Sequence, residues 1–175
     1  MASYESKQLY GGAIAVDLPK SVIDASDFRQ IPDTQEVFLA GEGSSLGQDD
    51  AVIFDLLEAV SVPDSEAANY HLQELAKLNG DQQAKVLESE QIALPNFPGD
   101  PVYLLVGSQE AKKWGRDSTD LHVVLALVRL RKVQTDLLVT LNLPGAAGFE
   151  RTPAAKSVVR RALESLKIVN WGLFG

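Results

Sequence analysis

Cysteine is absent from this 175-residue chain. That removes a disulfide scaffold, a thiolate metal site, a cysteine nucleophile and a redox motif together, and it fits a reducing compartment. Histidine occurs only at His71 and His122, too far apart in sequence to form a spaced metal motif. His71, between Tyr70 and Leu72 on a predicted helix, reads as a hydrogen-bonded structural imidazole. The longest aliphatic run, Val123 to Val128, is six residues, far short of the ~20 that cross a bilayer. No apolar stretch follows a basic cluster in Met1 to Lys7, so no secretory signal is expected. The Gly41-x-Gly43 pair lacks the further glycine and the Gly-Lys-Ser/Thr ending of a phosphate loop, and Glu42 would repel phosphate. Ser108 follows Gly107, but Gln109-Glu110 lacks the glycine of a nucleophile elbow. No base stands near a carboxylate pair in a triad pattern. Neither cofactor, metal nor catalytic residue is expected.

What is present fits one domain over residues 1–175, a monomer that hides about 70% of its unfolded surface. Apolar residues make up 45% and charged residues 23%, close to a soluble globular average. Charge is uneven. Residues 1–100 hold 18 acids against 5 bases, a net of −13, whereas residues 101–175 hold 6 acids and 11 bases, a net of +5. An acidic first half argues against nucleic acid, which requires clustered Lys and Arg. It suits a basic protein surface, or simply keeps the protein soluble. No membrane partner is expected.

Leu9 to Pro19 reads as a strand, a glycine turn and a second strand ended by proline. Ser21 to Thr34 is expected to be an ordered loop with a helical turn, Gln35 to Ala40 a strand, and Gly41 to Asp50 the most flexible segment. Ala51 to Val60 is ambiguous. Its β-branched opening favours a strand, while Asp55 and Glu58, three apart, would share a helix face. The strand is preferred, with local twist bringing both acids to the surface near its exit. Asp64 can cap a helix from Ser65 to Leu78, with Ala68, Leu72, Leu75 and Leu78 inward and Asn79-Gly80 stopping it. Thr152-Pro153 opens another, with Ala155, Val158, Val159, Ala162, Leu163 and Leu166 on one stripe. Between the helices lie four strand-like stretches, Gln83–Ile92, Pro101–Lys112, Leu121–Lys132 and Thr135–Leu143, the last two forming a hairpin. His122 to Val128 does not alternate, so both of its faces should be covered. The pattern predicts an α+β domain with a mostly antiparallel sheet of about six strands.

Leu9-Tyr10-Gly11-Gly12-Ala13-Ile14 and Ile23 to Phe38 (Ile-Asp-Ala-Ser-Asp-Phe-Arg-Gln-Ile-Pro-Asp-Thr-Gln-Glu-Val-Phe) closely resemble the Ran guanine nucleotide release factor family, known in fungi as Mog. Val52-Ile53-Phe54-Asp55-Leu56-Leu57-Glu58, Lys113-Trp114-Gly115, Gln134-Thr135-Asp136-Leu137-Leu138 and Leu173-Phe174 match in the same order, so the resemblance spans nearly the whole chain. It implies a Mog/PsbP-like fold, an antiparallel sheet with helices on both faces. It also implies a non-catalytic protein of nucleus and cytoplasm that binds the small GTPase Ran, favours release of its guanine nucleotide and supports nuclear import.

The family's partner surface is an acidic cluster, whose matching positions here are Asp24, Asp33, Glu36, Asp55 and Glu58. Asp24 and Asp33 also fit turn or cap roles, and Glu36 an ordinary solvent-facing strand residue. Ionised Asp55 and Glu58 among Ile53, Phe54, Leu56 and Leu57 should be held at the surface, where a basic partner can meet them. Gln73 stands where relatives usually carry an acid, so its helix should add less to that surface, and nothing transfers to the loop Gly41–Asp50. Two alternatives remain. One is a PsbP-like accessory scaffold that does not bind Ran, against which the missing transit segment speaks. The other is an enzyme or small-ligand binder using a pocket beside the sheet near Trp114 or Trp171, where a core role for either tryptophan is expected instead.

Overall fold

In the computed structural model, which describes residues 3–41, 45–80, 84–111 and 119–175, the strands sort into two antiparallel sheets. The smaller has the order β1-β2-β10, formed by Tyr4–Leu9 (β1), Ile14–Pro19 (β2) and Lys167–Ile168 (β10). The larger has seven strands in the order β3-β4-β5-β9-β8-β7-β6. These are Ile23–Asp24 (β3), Gln35–Leu39 (β4), Ala51–Glu58 (β5), Lys85–Ile92 (β6), Val102–Ala111 (β7), Thr119–Leu130 (β8) and Thr135–Pro144 (β9). The α+β expectation therefore holds with more strands than foreseen. β3 and β10 are two residues each, too short to leave a periodic signal.

β8 organises the core. Val123 through Val128 are all buried, because successive side chains face opposite sides and both sides are covered. Val123, Leu125 and Leu127 join Leu105, Leu138 and the inner face of helix α1, Asp64–Leu78. Val124, Ala126, Val128 and Leu130 join the small sheet and helix α2, Thr152–Ser165. α2 carries Pro at its start and buries Ala155, Val158, Val159, Ala162 and Leu163, with Leu166 buried just beyond. That is the stripe the periodicity predicts. The β8–β9 hairpin turns through a 3-10 turn at Arg131–Val133 and a left-handed Gln134.

Three expectations are corrected. Asp64 is not a side-chain cap: it begins α1 after Pro63 and gives its carboxylate to Arg129 (2.9 Å) and Arg131 (2.6 Å). Leu78 is 83% exposed, because a helical stripe marks the inward side without showing how far along the axis there is something to pack against. Trp171 is a surface residue, not a core one. Trp114, Gln83 and residues 42–44 of the loop lie outside the described residues, while Asp50 at the loop's end is fully buried and takes Arg151 in a two-oxygen ion pair at 2.8 Å each.

Candidate functional site

The five acids are distributed over β3, β4, β5 and the turn between the first two. Asp24 closes β3 and accepts from the Ser26 amide (2.9 Å) and hydroxyl (2.7 Å), capping the 3-10 turn Ala25–Asp27. Its carboxylate therefore has the turn role that the sequence also allowed. Asp33 sits exposed at the corner of a turn closed by the Gln35 amide on the Pro32 carbonyl (2.9 Å). Glu36 lies on β4 opposite Phe54 and accepts the Tyr10 backbone N–H at 2.8 Å. Asp55 lies opposite Gln35, whose amide donates to it at 3.1 Å. Glu58, the last residue of β5, is exposed and opposite Thr135.

Register decides which way these groups look. Alternation along β5 puts Val52, Phe54, Leu56 and Glu58 on the α2 side, and Ile53, Asp55 and Leu57 on the α1 side. Paired residues of an antiparallel ladder share a face, so Glu36, opposite Phe54, looks to the α2 side together with Glu58. Asp55 looks the other way. The structure thus brings Asp33, Glu36, Asp55 and Glu58 to one end of the β4–β5 pair, with the Thr34 carbonyl taking the Leu56 amide there (3.0 Å). It does not place them on one face. Asp55 is also half-buried rather than held at the surface; one carboxylate oxygen is enclosed with no hydrogen-bond partner. Burial raises its pKa, opposed by hydrogen bonds from Gln35, Thr34 and the Leu56 amide and by the nearby His71.

Two groups at this end escaped the sequence reading. Tyr10 adopts φ 53°, hands its amide to Glu36 and its hydroxyl to the Thr34 carbonyl (2.7 Å). Its pKa is raised by burial and by the charges of Asp55 and Glu36. The second is a buried network behind Glu58. Asp136, with no solvent exposure, accepts from Arg129 Nε at 3.1 Å and the Val60 amide at 3.2 Å, and lies 2.8 Å from His71 Nε2. Arg129 also donates to the carbonyls of Val62 (3.0 Å) and Val60 (2.5 Å), so it clamps the chain between Glu58 and α1. Burial raises the Asp136 pKa, yet the bonds from His71, Val60 and Arg129 and the Arg129 charge outweigh it, and the net displacement is downward. A signal for this network existed: a lone Arg in a strand covered on both faces must find a buried anion.

Part of the uneven charge is matched between the two halves of the chain. First-half acids Asp17, Asp50, Asp64, Glu88 and Glu90 pair with second-half bases Arg161, Arg151, Arg129 and Arg131, Lys156, and Arg160. Among the described residues, none of Asp24, Asp33, Glu36, Asp55 and Glu58 is ion-paired with a lysine or arginine. A cavity of about 280 Å³ beside this end is lined by Asp64, Arg129, Arg131, Gln134 and Asp136 among others, but its charged groups are bonded to one another. Among the described residues, no group of three or more His, Asp or Glu is placed to hold a metal ion. Gln73 is structural: its amide donates to the Ala84 carbonyl (3.0 Å) and accepts the Ala84 amide (2.9 Å), a reciprocal pair that an ionised acid cannot make.

Fold and site together define an α+β scaffold of antiparallel sheets and flanking helices with a carboxylate-bearing end. Residues 7–144 match the family model described as Ran-interacting Mog1 protein, and the chain belongs to that family. It is 33% identical to the Ran guanine nucleotide release factor of Danio rerio, over 97% of this chain and all of the relative. It is 31% identical to the nuclear import protein mog1 of Schizosaccharomyces pombe, over 95% of this chain and 94% of that one. Such names are consistent with a non-catalytic regulator. Among solved structures, the Ran-binding protein Mog1p of Saccharomyces cerevisiae superimposes with a TM-score of 0.84 at 26% identity, each chain covered completely. A cyanobacterial PsbP from Synechocystis shares the fold at a TM-score of 0.60 and 16% identity, over 96% of this chain and 94% of that one. The Mog/PsbP-like expectation is met.

Proposed function

We propose that residues 1–175 act as one monomeric, non-catalytic unit that binds the small GTPase Ran, promotes release of its guanine nucleotide and supports nuclear protein import from nucleus and cytoplasm. The observation that carries this reading is the set of unpaired carboxylates at the β4–β5 end. The chain matches Asp17, Asp50, Asp64, Glu88 and Glu90 with its own bases. These carboxylates, by contrast, are grouped at one end without a lysine or arginine partner among the described residues and stand open to an outside cation. Asp33, Glu36 and Glu58 meet the partner directly, Asp55 contributes from the opposite face of the same end, and Asp24 shapes the neighbouring turn. GTPases of this kind hold nucleotide through a phosphate loop, its lysine and a magnesium ion. Release is promoted only if the emptied form binds this protein more tightly than the loaded form. Linkage then requires nucleotide to weaken the complex by the same factor. Carboxylates at this end would engage basic groups that departing phosphates uncover.

The test is labelled-nucleotide release from Ran, with calorimetry on nucleotide-free Ran, for the wild type and the Asp55→Lys/Glu58→Lys variant. The wild type should accelerate release, and the variant should fold yet bind at least about tenfold more weakly, given the cost of setting like charges against a basic partner. Unchanged affinity in a folded variant would remove the acidic-surface reading. The likeness to PsbP carries fold alone, so the scaffold alternative gains nothing from it.

A further inference from the structure

Among the described residues, two that are not glycine hold positive φ: Tyr10 at 53° and Gln134 at 48°. Both flank the exit of β5. Tyr10 gives its amide to Glu36, and the Gln134 carbonyl takes the Ala59 amide at 3.0 Å, next to Glu58. For a bulky aromatic this backbone region is costly, and it persists only where surroundings over-determine it, which happens most often at ligand clamps and similar sites.

The Gln134 turn also carries the exposed Lys132, whose ammonium sits 4.9 Å over the Trp171 ring. The segment bearing Trp171 hangs from the other turn, since the Ala13 carbonyl accepts from Val169 (2.8 Å) and Asn170 (3.1 Å). Within the 3-10 turn Trp171–Phe174, Leu173 and Phe174 pack against the α2-side core. Trp171 does not share that burial: it touches Phe174 at 5.7 Å between centroids yet remains 36% exposed, beside Val169 at 57%. So the side and end of the sheet that present Glu36 and Glu58 also present an open indole held by a cation. Interfaces draw most of their energy from a few aromatic and arginine anchors surrounded by polar groups.

We propose that Trp171, with Lys132 over its face, is the apolar anchor of the same partner surface. The inference rests on the Ran-binding reading and adds its partner chemistry. The matching patch of Ran must offer an exposed apolar side chain flanked by a carboxylate for Lys132, beside the basic groups that meet Glu36 and Glu58. Acids govern encounter; the indole governs how long the complex lasts.

The experiment measures association and dissociation of nucleotide-free Ran with the full chain carrying Trp171→Ala, Trp171→Phe, Lys132→Glu or Glu58→Lys, each checked for folding by thermal melt. Expected is a loss of about tenfold or more in affinity for Trp171→Ala, mainly through faster dissociation and with the salt dependence of association unchanged. Lys132→Glu should lose severalfold. If Trp171→Ala fails to fold, Trp171→Phe, which keeps a ring against Phe174, should still dissociate severalfold faster. Folded Trp171 variants that match the wild type while Glu58→Lys weakens binding would overturn the anchor and leave the acidic surface standing. If the wild type itself fails to bind Ran, the underlying reading fails instead.

Discussion

Asp136 and Asp55 are carboxylates on the same side of the sheet, yet their surroundings displace them in opposite directions. Asp136 is held by Arg129, His71 and the Val60 amide. Removing one partner of a buried pair costs about 3–5 kcal/mol because a bare charge is left behind. Arg129→Met should therefore lower unfolding free energy by roughly that amount in a urea titration. Because the folded Asp136 pKa is depressed, its stabilisation is complete above the unfolded carboxylate value of about 4 and is lost as pH falls through the lower folded value. Asp136→Asn should flatten that acid limb. Asp55, raised by burial, works the other way: its ionisation opposes folding above its raised pKa, and acidification through that value relieves the strain. Asp55→Asn should thus leave stability at pH 7 unchanged or raised by up to about 1 kcal/mol, while weakening Ran binding. A large loss of stability would show that the carboxylate supports the fold.

At the scale of elements, helix α1 meets the sheet where β7 has no side chain. A Cβ on Gly107 would lie 2.8 and 2.9 Å from the two Leu72 methyl carbons, and Leu72 is wholly buried. Gly107→Ala should cost about 1–3 kcal/mol by overpacking, read as a lowered melting temperature. Deleting the other side of the contact, Leu72→Ala, should cost about 2–5 kcal/mol. α2 was legible in full because its stripe packs along its whole length. α1 was legible only in part: its stop at Asn79-Gly80 was plain, but Leu78 and Asp64 answer to where the sheet ends and where Arg129 and Arg131 stand. In β5 the sequence reading expects local twist to bring Asp55 and Glu58 to the surface together, but on the regular ladder observed, residues an odd number apart face opposite ways.

Across the whole molecule the formal charge is −8, and at least five acids of the first half are matched internally by bases of the second. On the Ran-binding reading, steering of a basic partner falls chiefly to the carboxylates grouped at the β4–β5 end. With a Debye length of roughly 10 Å at 0.1 M salt, association with Ran should slow steadily as sodium chloride rises, measured by stopped flow. A salt-independent rate would assign encounter to the apolar Trp171 region instead.

The amino-acid order alone determined the types of most of the longer elements, the two-sided burial of β8, the α2 stripe and the family, since each is written in local spacing or in long matched blocks. Only the tertiary structure decided that Glu36 and Glu58 share a face that Asp55 does not, that Asp24 is spent on a cap, and which acids find a base. Those outcomes depend on strand register and on contacts between residues far apart in the chain, where a shift of one position turns every side chain to the other side of the sheet.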